Sequence, residues 1–370
     1  MLMLTFTVSN MVSNGVCAED QQQQAKRKPE AITGPAPVVG RMPVQNLEWG
    51  RDSNSIYTTN QFNGLGHWLL AIQGPSTLDG CILSQLLPLD HTANSMAVGH
   101  KTSAIVLGTT VGVVQVRHRN TLLPQKSFDV GKPYGIYAVA IDANEQQIAA
   151  CGTDGTVFVW NIDRDTPLHH LQATSREGER MVSLAFSPDG KALAALSRYG
   201  KLTLWDLESG KMIGKSIDSI AGETSGLQFT PTGDRVVVVG RGTINFWHPI
   251  HEPSARVILP PAAVCPRYTP EEEARGGGRA PDFGEGIRFA GVASLSRGAK
   301  QVASILESGG VAIWELETQR VLITLPPPPF TTRMENPGLY FKCIRFSPDD
   351  RFVAAAAASG EMAVWQLPGK

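Results

Sequence analysis

A stretch of 25 residues, Met181–Trp205 (MVSLAFSPDGKALAALSRYGKLTLW), recurs along this chain, and a recurring unit of that size restricts the fold more than any other feature. Three apolar runs alternate within it: Val182–Phe186, Ala192–Leu196 and Leu202–Trp205. Ser187-Pro188-Asp189-Gly190 separates the first two, a combination suited to a tight turn because proline presets φ and Asp-Gly accepts the reversal. Arg198-Tyr199-Gly200 separates the second and third, with a glycine free to take positive φ. Short apolar runs bounded by such turns predict a three-stranded antiparallel meander. A meander of this kind cannot bury both of its faces alone. It requires neighbours.

Those neighbours are present. Ile136–Trp160 and Phe341–Trp365 align with it without a gap and keep the apolar positions, the second-turn glycine (Gly155, Gly360) and the closing tryptophan. Ala93–Arg117 also aligns without a gap, with Arg117 in the tryptophan's place. Ser225–Trp247 needs one deletion in its second turn, and Ala293–Trp314 lacks the turn proline. A seventh, weaker unit is read from His67–Gln73 followed by Thr77–Leu86, the latter matched to the third run of the other copies.

Phe186-Ser187-Pro188-Asp189-Gly190 followed by Leu202–Trp205-Asp206 resembles the WD-repeat (Trp-Asp repeat) β-propeller family, and the resemblance spans residues 60–367. It implies an all-β fold: a single β-propeller of seven four-stranded blades, with Trp160, Trp205, Asp206, Trp247, Trp314, Trp365, Asp154 and Asp189 as structural signature positions. Five residues follow Trp365, too few for a fourth strand in the last blade. The resemblance therefore implies that an N-terminal strand closes the ring, with Val44–Trp49 favoured over Ser55–Thr59.

The remainder of the chain is divided accordingly. Met1–Val8 is apolar, and Val16-Cys17-Ala18 precedes the polar Glu19-Asp20-Gln21, as a secretory cleavage site requires. Residues 1–18 are thus expected to be a signal peptide cleaved after Ala18, making the protein periplasmic or secreted; the alternative is a cytoplasmic protein that retains Met1. Residues 19–43, rich in Gln, Pro and charge, predict a flexible leader, and residues 44–370 the propeller. Two insertions interrupt the repeat, at 248–287 and 326–338, the second expected to hold a stiff polyproline stretch.

A net charge of −1 gives no basic field that would favour nucleic acid or an anionic membrane. No membrane insertion is expected, because the N-terminal apolar run falls short of the ~20 residues a span needs. The five cysteines include no C-x-x-C, and the eight histidines no H-E-x-x-H, so neither a metal site nor any other cofactor is implied. No G-x-S-x-G occurs, and Gly276-Gly277-Gly278 lacks the following Lys-Ser/Thr of a phosphate loop. Nothing points to an enzyme.

What the family resemblance implies instead is a binding face, made by the loops between second and third strands and between successive blades. Arg180, Arg198, Tyr199, Arg241 and Glu307 fall on those loops, and Arg and Tyr are enriched at interface hot spots. The expectation is a monomeric, non-catalytic scaffold that binds a partner protein. Two alternatives differ in class: a periplasmic enzymatic or ligand-binding propeller of lactonase or hydrolase type with a site in its channel, and a cytoplasmic regulatory scaffold.

Overall fold

A chain of short apolar runs separated by turns every few residues should contain strands and no long helices. The computed structural model has no helix among its described residues, which are 36–38 and 44–367 apart from 74–76, 133, 174–179, 215–216, 219–223, 241–242, 248–256, 259–288, 307–308, 317–319, 329–340 and 358–359. Apart from Val257–Ile258, the 248–287 insertion lies outside the described residues, as do nearly all of the 326–338 insertion and residues 1–35 with the proposed cleavage site.

The strands form seven four-stranded antiparallel sheets. Strand β1 (Ala36–Val38) is followed by a first sheet of β2 (Val44–Trp49), β3 (Ser55–Asn60), β4 (Gly64–Gln73) and β5 (Thr77–Pro88). The second holds β6 (Ala93–Val98) to β9 (Pro124–Asp129), the third β10 (Ala138–Ile141) to β13 (Pro167–Gln172), and the fourth β14 (Met181–Phe186) to β17 (Ile217–Asp218). The fifth runs from β18 (Thr224–Phe229) to β21 (Val257–Ile258) and the sixth from β22 (Phe289–Leu295) to β25 (Arg320–Leu325). The last sheet joins β26 (Phe341–Phe346), β27 (Phe352–Ala357) and β28 (Met362–Gln366) to β1.

Two expectations are corrected here. The strand added to the last sheet is Ala36–Val38, paired antiparallel with Met362–Val364, and not Val44–Trp49, which opens the first sheet by pairing with β3. Part of the expected leader is therefore a strand. Pro37 is tolerated there because β1 is an outermost strand, where one ladder N–H can be missing. In the first sheet, His67–Gln73 belongs to the third strand and Thr77–Leu86 to the fourth, one place later than expected. The match that counts is Ile56–Trp68 against Leu193–Trp205, without a gap, which makes Trp68 the closing tryptophan of that sheet.

Turn geometry repeats from sheet to sheet although the residues change. Between first and second strands one residue takes the left-handed region: Ser53 (φ 55), Glu145 (φ 59), Gly190 (φ 72), Gly233 (φ 74), Ala299 (φ 50) and Asp350 (φ 57). A short polar side chain at the start of the turn then accepts the N–H of the returning strand. Ser187 Oγ takes Ala192 N at 2.9 Å, Ser347 Oγ takes Phe352 N at 2.9 Å, and Asp142 Oδ1 takes Gln147 N at 2.7 Å.

The core lies between sheets, not within them. Seven apolar clusters are each shared by two neighbouring sheets, and the first strands neighbour one another in sequence, with β26 beside β2. Each fully buried leucine-sized side chain stabilises the fold by roughly 1.5–3 kcal/mol. Trp160, Trp205, Trp314 and Trp365 are all buried in these clusters, as are Cys151 and Cys343. Arg117, standing where a tryptophan would, is 3% exposed; its Nε donates to Gln115 Oε1 at 3.1 Å and its Nη1 to Leu122 O at 2.9 Å. Trp247 ends β20 (Thr243–Trp247), and its side chain is outside the described residues.

Candidate functional site

Because consecutive strands alternate in direction, the turns joining second to third strands and the connections between sheets emerge at one end of the sheets. Sequence reasoning placed its candidate residues there. Arg180 is the residue before β14, and Arg198 and Tyr199 sit in the turn between β15 (Ala192–Ser197) and β16 (Lys201–Asp206). Gly200 closes that turn at φ 86, while buried Ser197 accepts Lys201 N at 3.0 Å through Oγ and Gly200 N at 3.0 Å through its carbonyl. The turn is thereby fixed, and Tyr199 stands out 61% exposed. Arg198 N donates to Arg180 O at 2.9 Å, so the two arginines occupy adjacent backbone. Arg241 and Glu307 lie outside the described residues.

The structure adds three residues that sequence reasoning missed. The Arg180 guanidinium carbon lies 4.4 Å from the centre of the Tyr137 ring, on the connection leading into β10. Its Nε is buried without a hydrogen-bond partner. Tyr134 lies against Gly152, where a Cβ would come within 2.1 Å of the ring, and Gly152 O accepts Met181 N at 3.4 Å. The third is Lys132, whose Nζ pairs with Asp154 Oδ2 at 2.6 Å. Lys132, Tyr134, Arg180, Arg198 and Tyr199 thus share one end of the third and fourth sheets, tied together by the Arg180–Tyr137 stack and the backbone bonds of Arg198 and Met181. Lys132 and Tyr134 precede the repeat that begins at Ile136 as Ser175–Arg180 precede the one that begins at Met181, and that shared offset could have revealed them.

Asp154 is a turn-former in this geometry. Its Oδ1 accepts Thr156 N at 3.0 Å and its Oδ2 accepts Thr156 Oγ1 at 2.9 Å. Partial burial alone would raise its pKa, but the Lys132 ammonium and the Thr156 donors outweigh that and hold it at about 2. Asp189 has a matching role beneath β14, where Ser187 Oγ donates to its Oδ1 at 2.5 Å, and this bond lowers its pKa. Asp206 accepts Ser209 N at 2.7 Å in the next turn.

The opposite end of the sheets carries a cavity of ≈ 350 Å³, whose lining includes Glu48, His100, Gln228, Arg297 and Arg345. Arg345 Nε pairs with Glu48 Oε1 at 2.8 Å across the joint between the last and first sheets. Among the described residues, no three His, Cys, Asp or Glu side chains come together as a metal site would require, and no helix is long and apolar enough to cross a membrane.

Comparisons with known proteins agree with this architecture. The family model described as the anaphase-promoting complex subunit 4 WD40 domain matches residues 139–231. Protein HIR1 of Kluyveromyces lactis is 31% identical over 93 residues, 21% of this chain and 11% of that protein. The WD repeat, SAM and U-box domain-containing protein 1 of Danio rerio is 34% identical over 79 residues, 21% of this chain and 16% of that protein. The chain thus matches only a small part of these relatives' own lengths. The crystal structure of the Myceliophteria thermophila Cps50 (Swd1) β-propeller domain superposes with a TM-score of 0.64 at 14% identity, covering 90% of this chain and 100% of that one. That likeness shows the fold alone.

Proposed function

We propose that this chain, a WD-repeat β-propeller, is a non-catalytic scaffold that holds a partner protein against the face carrying Lys132, Arg180, Arg198 and Tyr199. WD-repeat propeller relatives suggest a protein-interaction scaffold. The observation that carries the reading is the way these residues are held at one end of two sheets: Arg180 stacks on Tyr137, and the Arg198–Tyr199 turn is fixed by hydrogen bonds to Ser197 and Arg180. Rigid turns present such anchors with little ordering entropy left to lose on binding. A photo-crosslinking side chain at position 199, with a control at Ser209 on the opposite end, tests it. Capture of one protein at 199 and not at 209 is the expected result; equal capture at both removes the reading.

The proposal includes export, with the partner met in the periplasm or the medium. Met1–Val8 and the Val16-Cys17-Ala18 sequence before Glu19 support it. N-terminal sequencing of the native protein should begin at Glu19. An intact Met1 in a cytosolic fraction would move the partner inside the cell and leave the scaffold reading standing.

A further inference from the structure

The cavity at the end of the sheets opposite Tyr199 is lined from five sheets at once. Glu48 comes from the first, His100 from the second, Gln228 from the fifth, Arg297 from the sixth and Arg345 from the last. Residues of so many sheets meet only where the first strands, each beside the next, come together. The wall is held in place before any ligand arrives. Arg345 Nε donates to Glu48 Oε1 at 2.8 Å and its Nη1 to Ile344 O at 2.9 Å, while Trp49 Nε1 donates to Arg345 O at 3.1 Å. Arg297 N donates to Asp350 Oδ1 at 3.1 Å, and Phe346 N to Ser294 Oγ at 3.4 Å. These bonds fix the backbone of the first, sixth and last sheets around one space.

The chemistry of the lining is mixed in a definite way. Among its described residues two arginines stand with one glutamate, and burial lowers the His100 pKa, so that ring is neutral at pH 7. The charged side chains thus leave one positive charge over. A guanidinium has five N–H donors, and the bonds to Glu48 and Ile344 use two of those on Arg345. Trp49, Leu295, Phe346 and Pro348 add an apolar wall. The volume of ≈ 350 Å³ is the share of about ten waters at ~30 Å³ each, at the small end of ligand pockets.

We propose that this cavity binds a small monocarboxylate with an apolar body, its carboxylate between Arg345 and Arg297 and its body against Trp49 and Phe346. Arginine presents a planar fork that matches a carboxylate. A dianion such as phosphate fits less well, because Glu48 lies in the same wall. The site is at the other end of the sheets from Arg198 and Tyr199, so its failure leaves the scaffold reading untouched.

The probes are 3-phenylpropionate, its neutral amide and 3-phenylpropylamine, titrated against the full chain and read by ligand-observed NMR. The carboxylate should bind about tenfold more tightly than the amide, and the amine least. Arg297→Gln should abolish most of that preference, and Arg297→Lys should restore part of it. Glu48→Gln removes the opposing charge and should tighten the carboxylate several-fold even though it weakens the fold. A merely structural arginine would change the melting temperature and not the ratio of carboxylate to amide binding. Binding of none of the three probes, equal binding of carboxylate and amide, preference for the amine, or an unchanged ratio in Arg297→Gln would each overturn the proposal.

Discussion

The first and fourth sheets meet the same backbone demands with almost no residues in common. In the turn after the second strand, the fourth sheet uses Gly200 at φ 86 and Ser197 Oγ as acceptor for Lys201 N; the first uses Asn63 at φ 59 and Asn60 Oδ1 as acceptor for Gly64 N at 2.9 Å. In the turn before it, Ser187 Oγ accepts Ala192 N in the fourth sheet, and Asp52 Oδ1 accepts Ser55 N at 3.1 Å in the first. The second strands differ more. Ala195, Leu196 and Ser197 are buried in the fourth sheet, whereas Thr58, Thr59 and Asn60 are buried in the first. A hydroxyl there has a use: Trp68 Nε1 donates to Thr58 Oγ1 at 2.8 Å, and Trp314 Nε1 does the same to Ser304 Oγ at 2.9 Å. What recurs is a left-handed residue, a short acceptor and a ring. The residue types that supply them are interchangeable.

The strongest way to break that comparison is to remove the rings. Trp205 is 3% exposed inside the cluster shared by the third and fourth sheets, so Trp205→Ala should cost about 3–5 kcal/mol. Trp68 is only partly buried at the edge of its cluster, and Trp68→Ala should cost roughly half as much. Urea midpoints of the two variants measure the difference. Equal losses would mean that the first sheet depends on its tryptophan as fully as the fourth.

The joints between sheets give the next effect. The third and fourth sheets share an apolar cluster crossed by neutral hydrogen bonds such as Gln147 Nε2 to Gly190 O at 3.3 Å, whereas the last and first add an ion pair, Arg345 to Glu48, to bonds from Trp49 Nε1 to Arg345 O at 3.1 Å and from Asp349 N to Ser53 Oγ at 3.2 Å. Glu48→Gln should lower stability by about 1 kcal/mol, discounted because both side chains are partly solvated. High salt should shrink the difference from wild type. A salt-independent loss would assign the effect to packing instead.

Turn residues give a smaller pair of opposite sign. Ala299 and Gly190 occupy the same left-handed position, at φ 50 and φ 72. Ala299→Gly should stabilise by about 0.5 kcal/mol and Gly190→Ala should destabilise by about 1 kcal/mol, because only the β-carbon resists that conformation. If both changes destabilise, the loss of unfolded-chain freedom at alanine outweighs the strain.

These pairs also explain how far the sequence could be read. The second to seventh sheets were legible because their glycines, turn acceptors and tryptophans keep one spacing, with one deletion in the fifth, and even Arg117 stands in register. The first was displaced by one strand because Asn63 replaces the glycine and Thr58-Thr59-Asn60 does not look like a core strand. Thr77-Leu78-Asp79-Gly80, meanwhile, imitates the third-strand turn. Ala36–Val38 was hidden because three residues carry no period, and their role depends on a partner strand more than three hundred residues away. The candidate face was half visible for a similar reason. The period locates Arg180, Arg198 and Tyr199 on one end, but the stacking of Arg180 on Tyr137 is a contact between sheets, which no local pattern encodes.

His67 gives the smallest effect at neutral pH and the clearest contrast between the two sheets. Leu204 holds the matching position in the fourth sheet, where nothing titrates. The His67 ring stacks on Tyr57 with centres 4.7 Å apart, and both ring nitrogens are buried without a hydrogen-bond partner. Burial pushes its pKa below the usual histidine value; Asp52 opposes the shift and Arg119 adds to it. Above the ordinary value of about 6.5 the ring is neutral both folded and unfolded, and pH should have no effect through it. As pH falls below that value the unfolded chain takes up a proton that the folded ring refuses, so stability should decline until the lowered folded pKa is reached. His67→Phe keeps the stack and removes the proton site. Melting temperatures of wild type and variant should run parallel above pH 7 and separate below ~6.5, with wild type falling faster. Parallel curves throughout would show that the ring finds a proton acceptor on protonation, and that the first sheet tolerates a buried charge the fourth was never asked to hold.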